Sequence, residues 1–227
     1  GTVTATMDNG NSGTVSASFV ADSTTATVAS VVAVDDNAAA DGNASNSVLV
    51  TVTDKYGNVI EGAEVYFNAS NGAVVAEKAI TDSEGVAKVT LTSTRSGMST
   101  VTASLNDSSK DVAVTFSAGQ PARQTSSIKT DKNEYISGDD IAVTVELRDE
   151  LENAVTGEIA TLTESTVTLQ NAFVKPGSNW AESSESPGKY TRLFVAKTTG
   201  ENLTATLSLS GWSRPSENRY KISANIH

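Results

Sequence analysis

The sequence predicts an all-β protein made of tandem β-sandwich domains, and three observations support this prediction. Val, Thr, Ala and Ser dominate the chain, and β-branched side chains suit a pleated, half-buried strand. Apolar and polar residues alternate with period two between turns that are rich in Gly, Asn and Asp. Related segments also recur about every 100 residues, which is the length of one sandwich domain.

The repeat defines the predicted domain organisation. Residues 2–7 (TVTATM) recur as residues 100–105 (TVTASL) and, more weakly, as residues 202–207 (NLTATL). Residues 48–54 match residues 143–149 at an offset of 95. We therefore expect the C-terminal hairpin of a preceding domain at 1–21, a complete domain at 22–118 and a divergent domain at 119–227, joined at the short linker 118–121, which contains Gly and Pro.

Within residues 22–118 the alternation predicts seven strands, each bounded by turn residues. They are 27–34, 47–54, 63–69, 73–79, 86–92, 99–105 and 111–117. In the third strand, Val65 and Phe67 face one side and Glu64 and Tyr66 the other, which gives a core face and an outer face. Seven short strands with turns at this spacing predict an immunoglobulin-like Greek-key sandwich.

The composition excludes several classes of function. The chain has no cysteine, which excludes disulfides and cysteine nucleophiles, and its one histidine, His227, is the last residue, which excludes a Ser-His-Asp triad inside the fold. A net charge of −11 repels nucleic acid and anionic lipid. No apolar run approaches the roughly 18 residues of a membrane span, so we expect no membrane insertion by this segment.

Acidic residues suggest two further interpretations, a calcium site and a glycosidase. Calcium needs about six to eight converging oxygen ligands, and no EF-hand spacing occurs in the acidic turns, which are Asp35-Asp36, Asp41, Asp54 and Asp139-Asp140. The pairs Glu182/Glu185 and Glu146/Glu150 would need a deep cleft, which small sandwiches seldom supply. We therefore predict turn capping for the acidic turns, no metal, no cofactor and no enzymatic activity.

Two motifs carry a resemblance to a known family. They are DKYGNVIEGAEVYF at residues 54–67 and TDSEGVAKVTLTS at residues 81–93, followed by Gly97 and Val101-Thr102-Ala103. Over nearly all of residues 22–118 the chain thereby resembles the bacterial immunoglobulin-like type 1 (Big-1) domains of the intimin and invasin adhesins. The resemblance implies a bacterial cell-surface protein that displays repeated domains and is anchored in the outer membrane through parts outside this segment.

The divergent domain fits this resemblance less closely. Its matching residues are Asp149, Asn153, Gly157, Gly188 and Gly200, whereas Glu152 stands in place of the turn glycine. A longer segment, residues 158–187, occupies the middle of this domain. Because 119–227 departs from the repeat, we expect any contact with a partner to lie there.

Aromatic residues concentrate in this divergent domain, which holds seven of the twelve and both tryptophans. Trp180 follows Pro176-Gly177 and Trp212 follows Gly211, so both contexts predict loops, where exposed Trp and Arg are typical binding anchors. The candidate binding residues are therefore Trp180, Trp212, Arg214 and Phe173. The alternative is that the aromatics plug the ends of the sandwich core.

The hairpin at residues 1–21 poses a physical problem. Val3, Ala5 and Met7 are expected to pair with Val15, Ala17 and Phe19 and to form one apolar face. An isolated hairpin is marginal in water, and its edge is free to pair with another chain. We therefore expect it to be either frayed or docked on a neighbour.

The leading functional hypothesis is a non-catalytic extracellular stalk and adhesion segment that attaches a bacterium to host cells or matrix. The expected partner is a host cell-surface or extracellular-matrix protein or glycan. We expect a monomer, with edge-strand pairing through residues 1–21 as the alternative. Two other functions stay open, a carbohydrate-binding or accessory module of a secreted hydrolase and a passive spacer with no ligand.

Overall fold

The computed structural model describes residues 1–226, so His227 lies outside the described residues. Within 1–226 the helical segments are two 3-10 helices, Ser23–Thr25 and Ile159–Thr161, and the remaining regular structure is β-strand. The residues form two compact units. Unit 1 comprises Gly1–Ala38, Ser45–Thr92 and Met98–Thr115, and unit 2 comprises Ala39–Ala44, Ser93–Gly97 and the described residues from Phe116 onward.

The sandwich of residues 27–117 contains nine strands in two sheets. They are β3 (Thr27–Asp35), β4 (Ala38–Ala39), β5 (Asn46–Thr53), β6 (Glu64–Ala69), β7 (Val74–Val75), β8 (Lys78–Ile80), β9 (Val86–Thr92), β10 (Gly97–Leu105) and β11 (Ser108–Ser117). One sheet has the order β3-β5-β9-β7 and the other β4-β11-β10-β6-β8. The strand predicted at 73–79 is wrong in one respect, because the chain crosses there from one sheet to the other: β7 pairs with β9, and β8 pairs with β6.

The core of this sandwich follows the predicted alternation. Val48, Val50 and Val52 on β5 are fully buried, as is Val65 on β6, whereas Tyr66 between Val65 and Phe67 is exposed. The opposite sheet contributes Val101, Ala103, Val114 and Phe116 from β10 and β11. Side chains at every second position therefore close the core from both sheets, as the sequence indicated.

Unit 2 contains eleven strands from β12 onward. They are β12 (Ser127–Thr130), β13 (Glu134–Ile136), β14 (Asp140–Glu146), β15 (Val167–Leu169), β16 (Ala172–Val174), β17 (Ala181–Glu182), β18 (Lys189–Ala196), β19 (Gly200–Leu203), β20 (Ala205–Leu209), β21 (Trp212–Pro215) and β22 (Tyr220–Ser223). Their sheets have the orders β12-β14-β18-β16, β13-β22-β19 and β15-β20-β21, and β17 also pairs with β18. β13 and β22 run parallel, whereas the other strand pairs of these sheets are antiparallel.

Three buried tyrosines fill the core of unit 2, and each hydroxyl has a partner. Tyr190 donates to Val155 O at 2.7 Å and Tyr220 to Gln170 O at 2.5 Å. Tyr135 donates to Asp131 Oδ1 at 2.6 Å and meets the Tyr220 ring edge to face at 5.9 Å. Burial, with the nearby Asp131 carboxylate, raises the pKa of Tyr135 to about 12, so this hydroxyl stays a donor at neutral pH.

The N-terminal hairpin consists of β1 (Thr2–Thr6) and β2 (Ser12–Ser16), which form a separate two-stranded sheet. Val3 lies opposite Val15, as expected, but Ala5 lies opposite Gly13 and Ala17 N donates to Gly1 O at 2.9 Å. The expected pairing of Ala5 and Met7 with Ala17 and Phe19 is therefore wrong, because the turn at residues 8–10 sets a different register. The large apolar side chains of the hairpin, Val3, Met7, Val15 and Phe19, are exposed.

Candidate binding surface

Trp180 belongs to the core of unit 2 rather than to its surface. Its side chain is 7% exposed, and its ring meets Phe194 of β18 edge to face at a centroid distance of 6.5 Å. The residue directly precedes β17, whose pairing with β18 holds the chain over the core. Trp180 thus fills the sandwich core, as the alternative interpretation of the aromatic residues proposed, and its side chain offers little surface to a partner.

Phe173 is exposed and lies beside a groove. It is the middle residue of the edge strand β16 and is 44% exposed. The groove has a volume of about 460 Å³, and its wall includes Phe173, Trp180, Phe194, Val167 and Arg192. Arg192 Nε donates to Ser178 O at 3.1 Å, which fixes the guanidinium at the groove. The period-two alternation of β18 could have indicated Arg192, since it places this residue on the face of Tyr190 and Phe194.

Trp212 and Arg214 lie on a strand, so the predicted loop at 210–216 needs correction. The turn is confined to Ser210-Gly211, and β21 begins at Trp212. Trp212 is half-buried against the core of unit 2. Arg214 Nη1 donates to Arg123 O at 2.7 Å, and Arg123 Nε donates to Ser213 O at 2.8 Å. The two arginines are therefore held together, a contact between residues 91 apart that no local sequence signal indicated.

The four candidate residues form two separate groups. Phe173 and Trp180 line the groove beside β15 and β16, whereas Trp212 and Arg214 belong to β21. β20 lies between β15 and β21 in their sheet, so it separates the two groups. None of the ion pairs among residues 1–226 involves Arg123, Arg192 or Arg214. Each group therefore presents a guanidinium without a carboxylate partner, on a chain with a net charge of −11.

The predicted turn capping holds for Asp36, Asp41 and Asp139, which accept from backbone amides, but not for Asp35 and Asp140, which bond to the side chains of Ser47 and Lys175. Asp41 Oδ1 accepts from Asn43 N and Ala44 N, at 2.8 and 2.7 Å, and Asp36 Oδ1 accepts from Asn37 N and Thr115 N. Asp139 Oδ2 accepts from Ile136 N, and Asp140 pairs with Lys175. Residues 1–226 contain no group of three or more His, Cys, Asp or Glu side chains placed to hold a metal ion.

In the described part of the chain, no helix has the length and apolar character needed to cross a membrane.

Part of the sequence is similar to known proteins. Residues 28–117 match the family model of the bacterial Ig-like domain (group 1). The chain is also 37% identical over 131 residues to the inverse autotransporter adhesin YeeJ of Escherichia coli strain K12. That match covers 56% of this chain and 5% of the relative, so the chain spans a small fraction of the relative's length.

Solved structures show a similar architecture. The structure of Yersinia pseudotuberculosis InvD matches 90% of this chain and 59% of its own at a TM-score of 0.63 and 18% identity. The Escherichia coli adhesin FdeC matches 93% of this chain and 68% of its own at a TM-score of 0.51 and 21% identity. At these identities the likeness concerns the fold, and it confirms the predicted all-β, Ig-like class.

Proposed function

We propose that this chain, which belongs to the intimin/invasin family of adhesins, is a non-catalytic extracellular stalk and adhesion segment of a bacterial surface protein. The observation that supports this role is the identity of 37% to an inverse autotransporter adhesin over more than half of the chain. In the parent protein, parts outside this segment anchor the array in the outer membrane. Folded sandwiches then carry a contact surface away from the cell, and no covalent chemistry occurs.

We assign the domains as residues 1–21, 22–118 and 119–227, with the first being the C-terminal hairpin of a preceding sandwich. Burial supports this assignment. Val101, Ala103 and Phe116 are buried in β10 and β11, whereas Val3, Ala5 and Phe19, which align with them in the repeat, are exposed in the hairpin. An apolar set with the spacing of a core face, exposed to water, indicates strands that complete their core with another part of the protein.

The adhesive surface lies on unit 2, at the groove beside Phe173. The exposed aromatic ring, the groove behind it and the unpaired Arg192 guanidinium combine an apolar anchor with a charge, which is the usual composition of an interface hot spot. The partner is a host cell-surface or extracellular-matrix protein or glycan. Arg214 and Trp212 on β21 form a second, separate contact candidate on the same unit.

Binding of the full chain to cultured epithelial cells and to immobilised matrix proteins tests this role. We expect saturable binding that weakens by about tenfold or more in Phe173→Ser, because truncation of a central apolar anchor costs at least about 1.4 kcal/mol. Trp180→Ala is a poor test, because it removes a buried side chain and destabilises unit 2.

Ile136→Ser is the matched control, since Ile136 is a similarly exposed apolar residue of a short strand, β13, in another sheet. If Phe173→Ser and Ile136→Ser weaken binding equally, the groove is not the contact. Saturable binding that Arg214→Gln weakens and Phe173→Ser does not would move the contact to β21.

A passive spacer is the second candidate, and one observation favours it. Trp180 is buried and Trp212 is half-buried against the core, so packing accounts for both tryptophans. Phe173 is the one exposed aromatic side chain among the described residues of unit 2, which provides no planar aromatic platform for a carbohydrate-binding module. Absence of binding to every cell, matrix protein and glycan tested would support the spacer.

A further inference from the structure

One buried carboxylate in each sandwich makes the same set of four hydrogen bonds. In unit 1, Asp54 Oδ1 accepts from Tyr56 N and Asn58 N, both at 2.9 Å, and so closes its own turn. The other oxygen, Oδ2, accepts from Asn58 Nδ2 at 3.0 Å and from Asp22 N at 3.1 Å. Asp22 is 32 residues earlier and belongs to the chain that leads into the sandwich.

Asp149 makes the equivalent four hydrogen bonds in unit 2. Its Oδ1 accepts from Leu151 N at 3.0 Å and Asn153 N at 2.8 Å, which closes the turn. Its Oδ2 accepts from Asn153 Nδ2 at 3.1 Å and from Gly119 N at 2.9 Å. Gly119 also belongs to the chain that leads into its own sandwich, so one oxygen serves the turn and the other serves the leading segment in both units.

Asp22 and Gly119 are equivalent positions of the repeat. Residues 14–20 match residues 111–117, so Ala21 corresponds to Ala118, and Asp22 to Gly119. The two carboxylates are themselves equivalent at the offset of 95. The same backbone N–H therefore meets the same carboxylate oxygen in two copies whose sequences have otherwise diverged, which argues against a chance contact.

Both carboxylates are buried, with Asp54 3% and Asp149 5% exposed. Burial by itself raises the pKa of Asp54, but the hydrogen bonds from Asn58, Asp22 and Tyr56 outweigh it and lower the pKa to about 2. Charge-assisted hydrogen bonds of this kind are stronger than bonds between neutral groups. The carboxylate of Asp54 is thus ionised at neutral pH and holds its four donors firmly.

We propose that Asp54 and Asp149 are linker anchors: each ties the chain that leads into a sandwich to the turn of that same sandwich. At the second position, β11 ends at Ser117 and the anchored amide is Gly119, so Ala118 is the single residue between them. At the first position β2 ends at Ser16 and the anchored amide is Asp22, so residues 17–21 lie between them. In both places the anchor shortens the free connection and thereby stiffens the chain, and the effect is greatest at Gly119. This inference rests on the proposed stalk role, for which stiffness is the useful property.

The substitutions Asp54→Asn and Asp149→Asn in the full chain test the anchor. An asparagine keeps the shape, and its single oxygen satisfies the two turn amides that Oδ1 served. Its NH2 group takes the place of Oδ2 and faces two hydrogen-bond donors, the leading amide and the Asn58 or Asn153 side chain. Because an NH2 group cannot accept, the two hydrogen bonds that Oδ2 accepted are lost. We expect Asp149→Asn to speed hydrogen exchange of the Gly119 amide by about 10- to 100-fold, and Asp54→Asn to do the same at Asp22.

Two controls separate release of the linker from a general loss of stability. Asp82→Asn is the matched variant, because Asp82 also caps a turn, accepting from Glu84 N and Val86 N, but contacts no leading segment. The Ala122 amide is an internal control, because it donates to Arg148 O at 2.8 Å and does not depend on Asp149. Exchange at Ala122 should stay unchanged in every variant.

The anchor and the stalk role can fail separately. If Asp149→Asn and Asp54→Asn speed exchange at Gly119 and Asp22 no more than Asp82→Asn does, the anchor is wrong whatever the chain binds. Loss of protection at the core amides of Val52 or Leu147 would also overturn it, because the carboxylates would then support the sandwich itself. Selective exchange at the two leading amides supports the anchor even where the chain proves to be an adhesive tip.

Discussion

Glu152 adopts a backbone conformation that glycine adopts at the same place in the other unit. Its φ is 66°, and that of Gly57, 95 residues earlier, is 86°. The turn is nevertheless conserved in geometry, since Glu152 N donates to Asp149 O at 3.0 Å and Gly57 N donates to Asp54 O at 3.1 Å. The hydrogen bonds of the turn therefore hold a residue with a side chain in the left-handed region, at a cost.

Glu152→Gly should remove that cost. The left-handed conformation is unfavourable by roughly 1–2 kcal/mol for a residue with a Cβ, and the extra entropy of glycine in the unfolded chain offsets part of the gain. We expect the free energy of unfolding of unit 2 to rise by up to about 1 kcal/mol, measured by urea denaturation followed by tryptophan fluorescence. Glu150→Gly in the same turn is the control and should not stabilise; equal gains from both variants would contradict the explanation.

Single residues also show where sequence reasoning is limited. The alternation correctly indicated the burial of Val65 and Phe67, because a strand with one core face fixes the side of every second residue. The context of Trp180, which follows a Pro-Gly pair, indicated a loop but carried no information about depth. Its burial depends on β17 pairing with β18 and on contact with Phe194, both set by the tertiary fold.

At the scale of elements, one arrangement of three segments recurs in both units. In unit 1, Val52 N donates to Gly85 O, and Ile60 N donates to Val52 O. In unit 2, Leu147 N donates to Gly188 O, and Val155 N donates to Leu147 O. Both glycines have positive φ, and a Cβ on Gly85 would lie 2.8 Å from Val59 Cβ, so the segments can approach this closely only around a glycine.

Gly85→Ala should therefore destabilise unit 1 more than Gly57→Ala does. Both substitutions place a Cβ at positive φ, which costs roughly 1–2 kcal/mol. The space around Gly57 is open, whereas the new Cβ of Gly85→Ala also forces the neighbouring backbone apart. This overpacking costs about 1–3 kcal/mol of folding stability in addition. Far-UV circular dichroism during urea denaturation measures both; a loss at Gly85 no larger than that at Gly57 would show that the segments can separate freely.

The elements themselves were predictable to different degrees. In residues 27–117 most strands lie close to their predicted places, because central strands such as β5, β6 and β9 alternate between buried and more exposed residues. The segment 158–187 gave no strand prediction, and its strands β15, β16 and β17 are only two or three residues long, too short for a period to be recognised. The parallel pairing of β13 with β22 joins residues more than 80 apart, a relation that local sequence does not encode.

For the whole molecule, the exposed hairpin is the feature that stands apart. Phe19 is 89% exposed, and the strands β1 and β2 pair only with each other. Hydrophobic burial contributes to stability in proportion to the apolar area removed from water, and the exposed side chains of the hairpin bury little apolar area. The remaining sandwiches should therefore derive almost none of their stability from residues 1–20.

Deletion of residues 1–20 tests this at the scale of the whole chain. We expect the urea midpoint of unfolding to stay within error of the full chain, and Asp22 to keep its bond to Asp54. Sedimentation at several concentrations measures the oligomeric state of both forms, for which we expect monomers. A lower midpoint after deletion would show that the hairpin is docked, and a dimer present only in the full chain would show that its edge pairs with a second copy.

The hydrogen bonds of Asp54 and Asp149 have a consequence for how such a gene can change. The carboxylate, the asparagine of its turn and the leading amide all lie within one repeat, so the four hydrogen bonds of each anchor are made inside that repeat. Recombination that copies or removes a whole repeat therefore copies or removes its complete anchor and leaves the anchors of the other repeats intact. Array length can thus vary between strains without a new linker having to evolve at each added unit.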